Sequence, residues 1–270
     1  MLRISGITCA LVVCSLVFVH PAAAQSDNVT TDRLFLFSIS TPHTDRPHAS
    51  VHVETGFGER PFDLTEGNEP EQRVGVQATL GHRLTLVGRL GIASHQSSTR
   101  TSQQGEILYS VLQSPERQAS VAAGLGMRHE PEGINVLLGR VAAGRTFSLW
   151  RVDGNALFEK PLSTERDAMD LITTVGVARR VMRSVHVGVE MIGEDLEGFW
   201  DPNEAEGGAR LLVGPSIRVA PPSAKWQVGA AGGPMIHATR SSVISDATRS
   251  LPTGAGKDGY AIRASLSYAF

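Results

Sequence analysis

The chain has 270 residues, 25 Lys+Arg against 27 Asp+Glu, a formal net charge of −2 and 41% hydrophobic residues. That balance, with no basic run, argues against a nucleic-acid surface. After residue 24 no apolar stretch reaches the ~20 residues of a spanning helix, so any membrane crossing falls to strands, whose backbone groups can pair with one another.

Met1 to Gly6 carry Arg3 and no acid, Ile7 to Val19 form a short apolar run, and Pro21-Ala22-Ala23-Ala24-Gln25 follows. A basic start, an apolar stretch and a small-x-small exit predict a secretory signal peptide over residues 1–24, cleaved after Ala24. Both cysteines, Cys9 and Cys14, fall inside it. The mature chain is therefore expected to hold no disulfide, thiolate metal site or cysteine nucleophile. Without Arg3 it keeps 24 Lys+Arg against 27 Asp+Glu, a net charge of −3. Residues 25–48, with the apolar Leu34 to Ile39, read as a periplasmic lead, an extra strand or a plug.

From residue 49 to the end the chain becomes a series of alternating segments, the period-two signal of strands with one apolar face. The apolar sets begin with Val51, Val53, Thr55 and Phe57, then Val74, Val76, Ala78 and Leu80. Leu84, Leu86, Leu90 and Ile92 come next, then Ile107, Tyr109 and Val111, then Ala119, Val121, Ala123, Leu125 and Met127. Ile134, Val136 and Leu138 precede Trp150, Val152, Ala156 and Phe158, and Met169, Leu171, Val175 and Val177 precede Val185, Val187, Val189 and Met191. Leu211, Val213, Ile217 and Val219, then Trp226, Val228, Ala230 and Ile236, lead to Tyr260, Ile262, Ala264, Leu266, Tyr268 and Phe270. About twelve strands near the spanning length predict an all-β fold, a transmembrane antiparallel up-and-down β-barrel.

Connection lengths support the barrel. With the C-terminus periplasmic, the outer connections are predicted near 59–71, 95–104, 129–133, 158–167, 194–207 and 238–258. The inner ones, near 81–83, 114–117, 144–146, 179–183 and 220–224, are short, the asymmetry expected of outer-membrane barrels. Three places resist the pattern. Arg140 falls on the apolar parity of its strand, which predicts a bulge, a phase change or a snorkelling side chain. Pro215 and Pro234 interrupt two other strands, where bulges or a bend are expected.

The last residues, Tyr260-Ala-Ile-Arg-Ala-Ser-Leu-Ser-Tyr268-Ala-Phe270, resemble the terminal strand of bacterial outer-membrane β-barrel proteins, alternating and ending in an aromatic residue. The resemblance implies a small porin-like barrel in the bacterial outer membrane, in contact with lipid and lipopolysaccharide. It also implies that Tyr260, Tyr268 and Phe270 form a signal read by the barrel-assembly machinery.

The opposite parity assigns polar residues to the lumen: Glu54, Glu106, Asp153, Glu159, Asp170 and Glu190 against Arg89, Arg128, Arg151, Arg210, Arg218 and Arg263. His52, Gln77, Asn155, His186 and Gln227 share that face. Six acids facing six arginines read either as cross-strand ion pairs that fill the interior or as the charged wall of a narrow channel.

Two other features bear on chemistry. His95-Gln96-Ser97 resembles the His-x-Ser pair of outer-membrane phospholipase, but Glu106 to Ser110 lack the orienting asparagine and Ser98 stands where that family has another. Alternation also turns His95 and Ser97 away from lipid, where a lipase serine must point. The acidic stretch Glu194 to Glu206 offers oxygen ligands for Ca²⁺ but matches no EF-hand spacing. No metal, cofactor or catalytic role is therefore expected. The expected function is a narrow channel for passive movement of small polar solutes or ions. The alternatives are a non-conducting barrel presenting its outer loops, or, more remotely, a lipid-acting enzyme.

Overall fold

In a computed structural model, residues 33–42, 46–58, 71–95, 98–130, 133–162, 169–194, 210–237 and 259–270 are described. The expected signal peptide, Gln96 and Ser97, residues 195–206 of the acidic stretch and the connection 238–258 lie outside the described residues. Twelve strands follow in order: β1 (His48–Gly58), β2 (Glu71–Gly81), β3 (Leu84–His95), β4 (Ser98–Ser114), β5 (Ala119–His129) and β6 (Asn135–Phe147). They continue as β7 (Trp150–Pro161), β8 (Asp170–Met182), β9 (Val185–Glu194), β10 (Arg210–Val219), β11 (Trp226–His237) and β12 (Gly259–Ala269). Each strand pairs with its sequence neighbours, and β1 pairs antiparallel with β12 from Ser50↔Ala269 to Gly58↔Ala261, closing the sheet. The predicted fold class, an up-and-down barrel of about twelve strands, is what the chain adopts.

Alternation explains the wall. Along β1, His52 and Glu54 are buried while Val53, Thr55 and Phe57 are exposed. Along β5, Leu125 is 76% exposed and Met127 52%. Large aliphatic residues on the outer face of nearly every strand make an apolar band that water-soluble proteins do not present at this extent. Among the described residues no helix is long and apolar enough to cross a membrane. The barrel's two ends are unequal. Turns of a few residues join β2–β3, β4–β5, β6–β7, β8–β9 and β10–β11 at what we name the turn end. At the β2–β3 turn His82 and Arg83 both take positive φ (53° and 66°), the backbone of a two-residue hairpin turn whose twist matches its strands.

Three expectations need correction. The connection expected over 95–104 is short: β3 and β4 pair from Leu84↔Tyr109 out to His95↔Ser98, so the hairpin extends through the Ser/Thr-rich stretch. Serine and threonine are polar enough to suggest a loop yet pair readily in a strand. Second, β6 has the opposite parity from that expected. Val136, Leu138, Arg140 and Ala142 face inward, while Leu137 and Val141 face outward at 45% and 46% exposure. Arg140 thus needs neither a bulge nor snorkelling; residues 136–138 are apolar on both faces, and alternation has no phase there. Third, Pro215 and Pro234 cause no shift of register. The β10–β11 ladder runs Leu212↔Met235, then resumes at Ser216↔Ala231 with the same offset. Both prolines, which lack an N–H, fall inside that single unpaired stretch.

Candidate functional site

The interior of the barrel is occupied by the chain itself. Residues 33–42 form no strand; they bend over 36–38 and lie against the inward side chains, with Leu34, Phe35, Leu36, Ile39, Ser38, Ser40 and Thr41 all buried. Phe35 is 0% exposed. The wall meets the segment's apolar groups in three places. Ile39 packs with Val87, Leu108 and Ala122. Leu34 and Phe35 pack on Ala178. Phe37 packs against Leu212, Met235 and Ala261, with the Arg263 guanidinium 4.9 Å from its ring centre. Each fully buried side chain of this size contributes on the order of 2 kcal/mol.

The backbone of the segment has no ladder to join, so the wall satisfies it with side chains. Glu190 Oε2 accepts both the Leu36 and the Phe37 N–H, each at 2.9 Å. Asn155 takes Ile39 from both sides, accepting its N–H and donating to its carbonyl, each at 3.1 Å. Gln77 Nε2 donates to the Ser40 carbonyl at 3.1 Å, and Ser40 Oγ donates to Asp153 Oδ2 at 2.5 Å. Thr41 and Ser120 hydroxyls lie 2.6 Å apart beside the β4–β5 turn. Ser38 meets Thr174 at 2.9 Å. At the other end of the segment Arg33 pairs with the buried Glu54. The wall also makes room. A Cβ at Gly176 would overlap the Phe35 ring, so this glycine is required by close approach rather than by backbone shape.

Around the segment the charges pair. Arg140 grips Glu106 with two bonds, Nε to Oε2 at 2.7 Å and Nη2 to Oε1 at 3.0 Å, and Gln104 donates to the same carboxylate at 2.6 Å. Arg128 does the same to Glu159 at 2.6 and 2.5 Å, while also reaching Glu130 at 2.8 Å. Arg151 pairs with Asp153 at 3.0 Å and Arg210 with Glu194 at 3.0 Å. Arg263 stands 3.9 Å from Glu54. Buried ion pairs survive best where the carboxylate also meets a neutral hydrogen-bond donor, as Glu106 meets Gln104 and Asp153 meets Ser40.

Of the twelve residues assigned to the lumen from sequence, Glu54, Glu106, Asp153, Glu159, Asp170, Glu190 and Arg218 are buried. Arg89, Arg128, Arg151, Arg210 and Arg263 are partly buried. Glu190 differs from its neighbours in kind: its bonded oxygen serves backbone N–H groups of the segment. Arg218 Nη1 donates to Ser265 at 3.1 Å. Sequence reasoning missed Arg140, Glu71 and Arg73, the last two paired at 2.7 Å. Arg73 shares the inward parity of Gly75 and Gln77 and was legible on that ground. Arg140 was hidden by the apolar β6. The inward hydrophobics Val87, Leu108, Leu212 and Met235 were also missed, and the signal for them was the unpartnered apolar run Leu34–Ile39.

The C-terminal aromatics stand on the outer face, Tyr260, Tyr268 and Phe270 each 42–46% exposed. Tyr268 and Phe270 meet edge to face at 5.2 Å. Trp226 pairs in register with Tyr268, adding a third aromatic residue at the turn end.

No protein-family model and no curated protein matches the chain. Among solved structures it resembles the KdgM porin in complex with disordered oligogalacturonate, at 8% identity and a TM-score of 0.55 over 82% of this chain and 99% of that one. It also resembles the NanC porin, at 9% identity and a TM-score of 0.51 over 81% and 98%. At such identities the likeness is one of fold, and the fold this chain shares is that of porin barrels.

Proposed function

We propose that this protein is a channel of the bacterial outer membrane for small polar solutes or ions, held closed by its own residues 33–42. The observation that carries the reading is how the segment is held. It contributes no strand to the sheet, and its polar contacts to the wall are with side chains, among them Glu190, Asn155, Gln77, Asp153, Ser120, Thr174 and Glu54. Such contacts can release the segment without opening the barrel, whose ladder is complete without it. Displacing it would bare the wall's remaining ion pairs and small polar groups, with Val87, Leu108, Leu212 and Met235 as apolar patches among them, and would uncover the Glu54 and Glu190 carboxylates to a polar solute. In this reading the chain is not an enzyme, the outer face contacts lipid and lipopolysaccharide, and Tyr260, Tyr268 and Phe270 direct assembly by the barrel machinery. The fold shared with two porins supports it.

A second reading, a non-conducting barrel that presents its long connections to a partner, is favoured by the filled interior. Planar-bilayer recording separates the two. The mature chain should show rare, small steps, and a chain lacking residues 25–42 should show frequent, larger ones. Absence of steps from both chains across salt and voltage would leave the structural reading.

A further inference from the structure

The barrel's ends differ in charge. Around the turn end stand Arg83, Arg117, Arg145, Arg179, Arg183 and Lys225, all exposed, and Glu116 is the one exposed acid beside them among the described residues. At the other end the connection 195–209 holds five acids and no lysine or arginine. Arg145 and Arg179 differ from the other rim cations because they project from strands on the outward face. Arg179 of β8 pairs in register with Trp150 of β7, which pairs with Phe147 of β6. The Arg179 guanidinium lies 5.7 Å from the Trp150 ring centre, within reach of a cation–π contact.

Arg145 sits one outward row farther from the turns. Its register partners there are Ala119 of β5 and Val152 of β7, neither of which offers a polar side-chain atom. An arginine on the lipid face carries a cost that shrinks toward the interface, and its long stem lets the guanidinium reach headgroup level. Arg145 and Arg179 thus stand on the two strands either side of the one that carries Trp150, and tryptophan is the residue that favours headgroup depth. The site is electrostatically one-sided. A zwitterionic headgroup would bring its own ammonium to a rim already positive, whereas a headgroup with net negative charge would not.

We propose that the turn-end rim around Arg145, Trp150 and Arg179 is a binding surface for anionic phospholipid headgroups. The proposal rests on the reading that the barrel spans a bilayer. Juxtamembrane cations strengthen binding to anionic lipid by roughly fivefold each.

The test uses the full mature chain refolded into phosphatidylcholine vesicles, with Trp200 and Trp226 replaced by phenylalanine so that emission reports Trp150. Brominated phosphatidylglycerol and brominated phosphatidylcholine are then compared as quenchers, at low and high salt. Phosphatidylglycerol should quench at lower mole fraction, and the preference should fall with salt. It should fall roughly fivefold in Arg145→Gln, fall further with Arg179→Gln added, and persist in Arg100→Gln near the opposite end. Equal quenching by both lipids, or a preference unchanged in the double variant, overturns the proposal. Co-sedimentation with cell-wall peptidoglycan that the double variant abolishes, without lipid preference, would assign the rim to the wall and also overturn it. Failure of the chain to insert, seen as unshifted tryptophan emission and no heat-modifiable band, would instead remove the membrane reading itself.

Discussion

Asn155 binds Ile39 as a neighbouring strand would, its amide accepting the Ile39 N–H and donating to the Ile39 carbonyl, both at 3.1 Å. One side chain on β7 thereby replaces two ladder bonds for a backbone that has no strand beside it. Asn155→Leu removes both and leaves two buried backbone groups unpaired, a cost of about 1–3 kcal/mol for each group. The segment should then leave the lumen more often. In single-channel recordings the open fraction should rise at least tenfold, with unit conductance unchanged.

Gly176 and Phe35 make a steric test of the same contact. A side chain at 176 has no room while Phe35 is seated. Gly176→Val should therefore free the segment without touching a hydrogen bond, and a protease added to the refolded protein should clip residues 25–42 faster than in the parent. Adding Phe35→Ala should restore seating in part, because the space then matches.

The Arg140–Glu106 pair lies across the interior between β6 and β4 and is almost wholly buried. Arg140→Leu strands a buried carboxylate, with an expected loss of about 3–5 kcal/mol, whereas the double change Arg140→Leu and Glu106→Leu should recover most of it. Denaturant unfolding of the refolded barrel reads the difference. The same pair of variants checks the inward parity of β6, since an arginine facing lipid would lose nothing on becoming leucine.

The strand count, the closure and most of the outward face were legible in the sequence because period-two alternation carries phase wherever the two faces differ. Val51 through Phe57 and Ala119 through Met127 are such places. Phase was lost at Val136–Leu138, where both faces are apolar, and with it the inward placement of Arg140. The segment 33–42 was legible only as an apolar run with three readings, since its partners Val87, Leu108, Leu212 and Met235 are scattered over four strands. Nothing local links Ile39 to Leu108; the closed ring brings them together. The charged interior was read as a set but not as pairs, because register decides which arginine meets which acid. Glu190 was grouped with the salt-bridging acids, yet its partners are two N–H groups of a segment far away in sequence.

Phe270 closes the last outward row beside Tyr268. Phe270→Ser should lower the amount of heat-modifiable, membrane-assembled protein in cells severalfold while leaving in-vitro refolding nearly unchanged. Equal loss in both settings would make the residue structural rather than a signal.

Occlusion of the lumen by residues 33–42 is tested most directly by a reversible lock. Thr41 and Ser120 hydroxyls lie 2.6 Å apart, so Thr41→Cys with Ser120→Cys puts two thiols within reach of a disulfide. The two native cysteines precede residue 25, so the chain from Gln25 onward contains no other thiol. The oxidised protein in a planar bilayer should show no steps, and reductant added to the same membrane should release them. Identical current traces before and after reduction, with the disulfide verified by mass, would contradict the account.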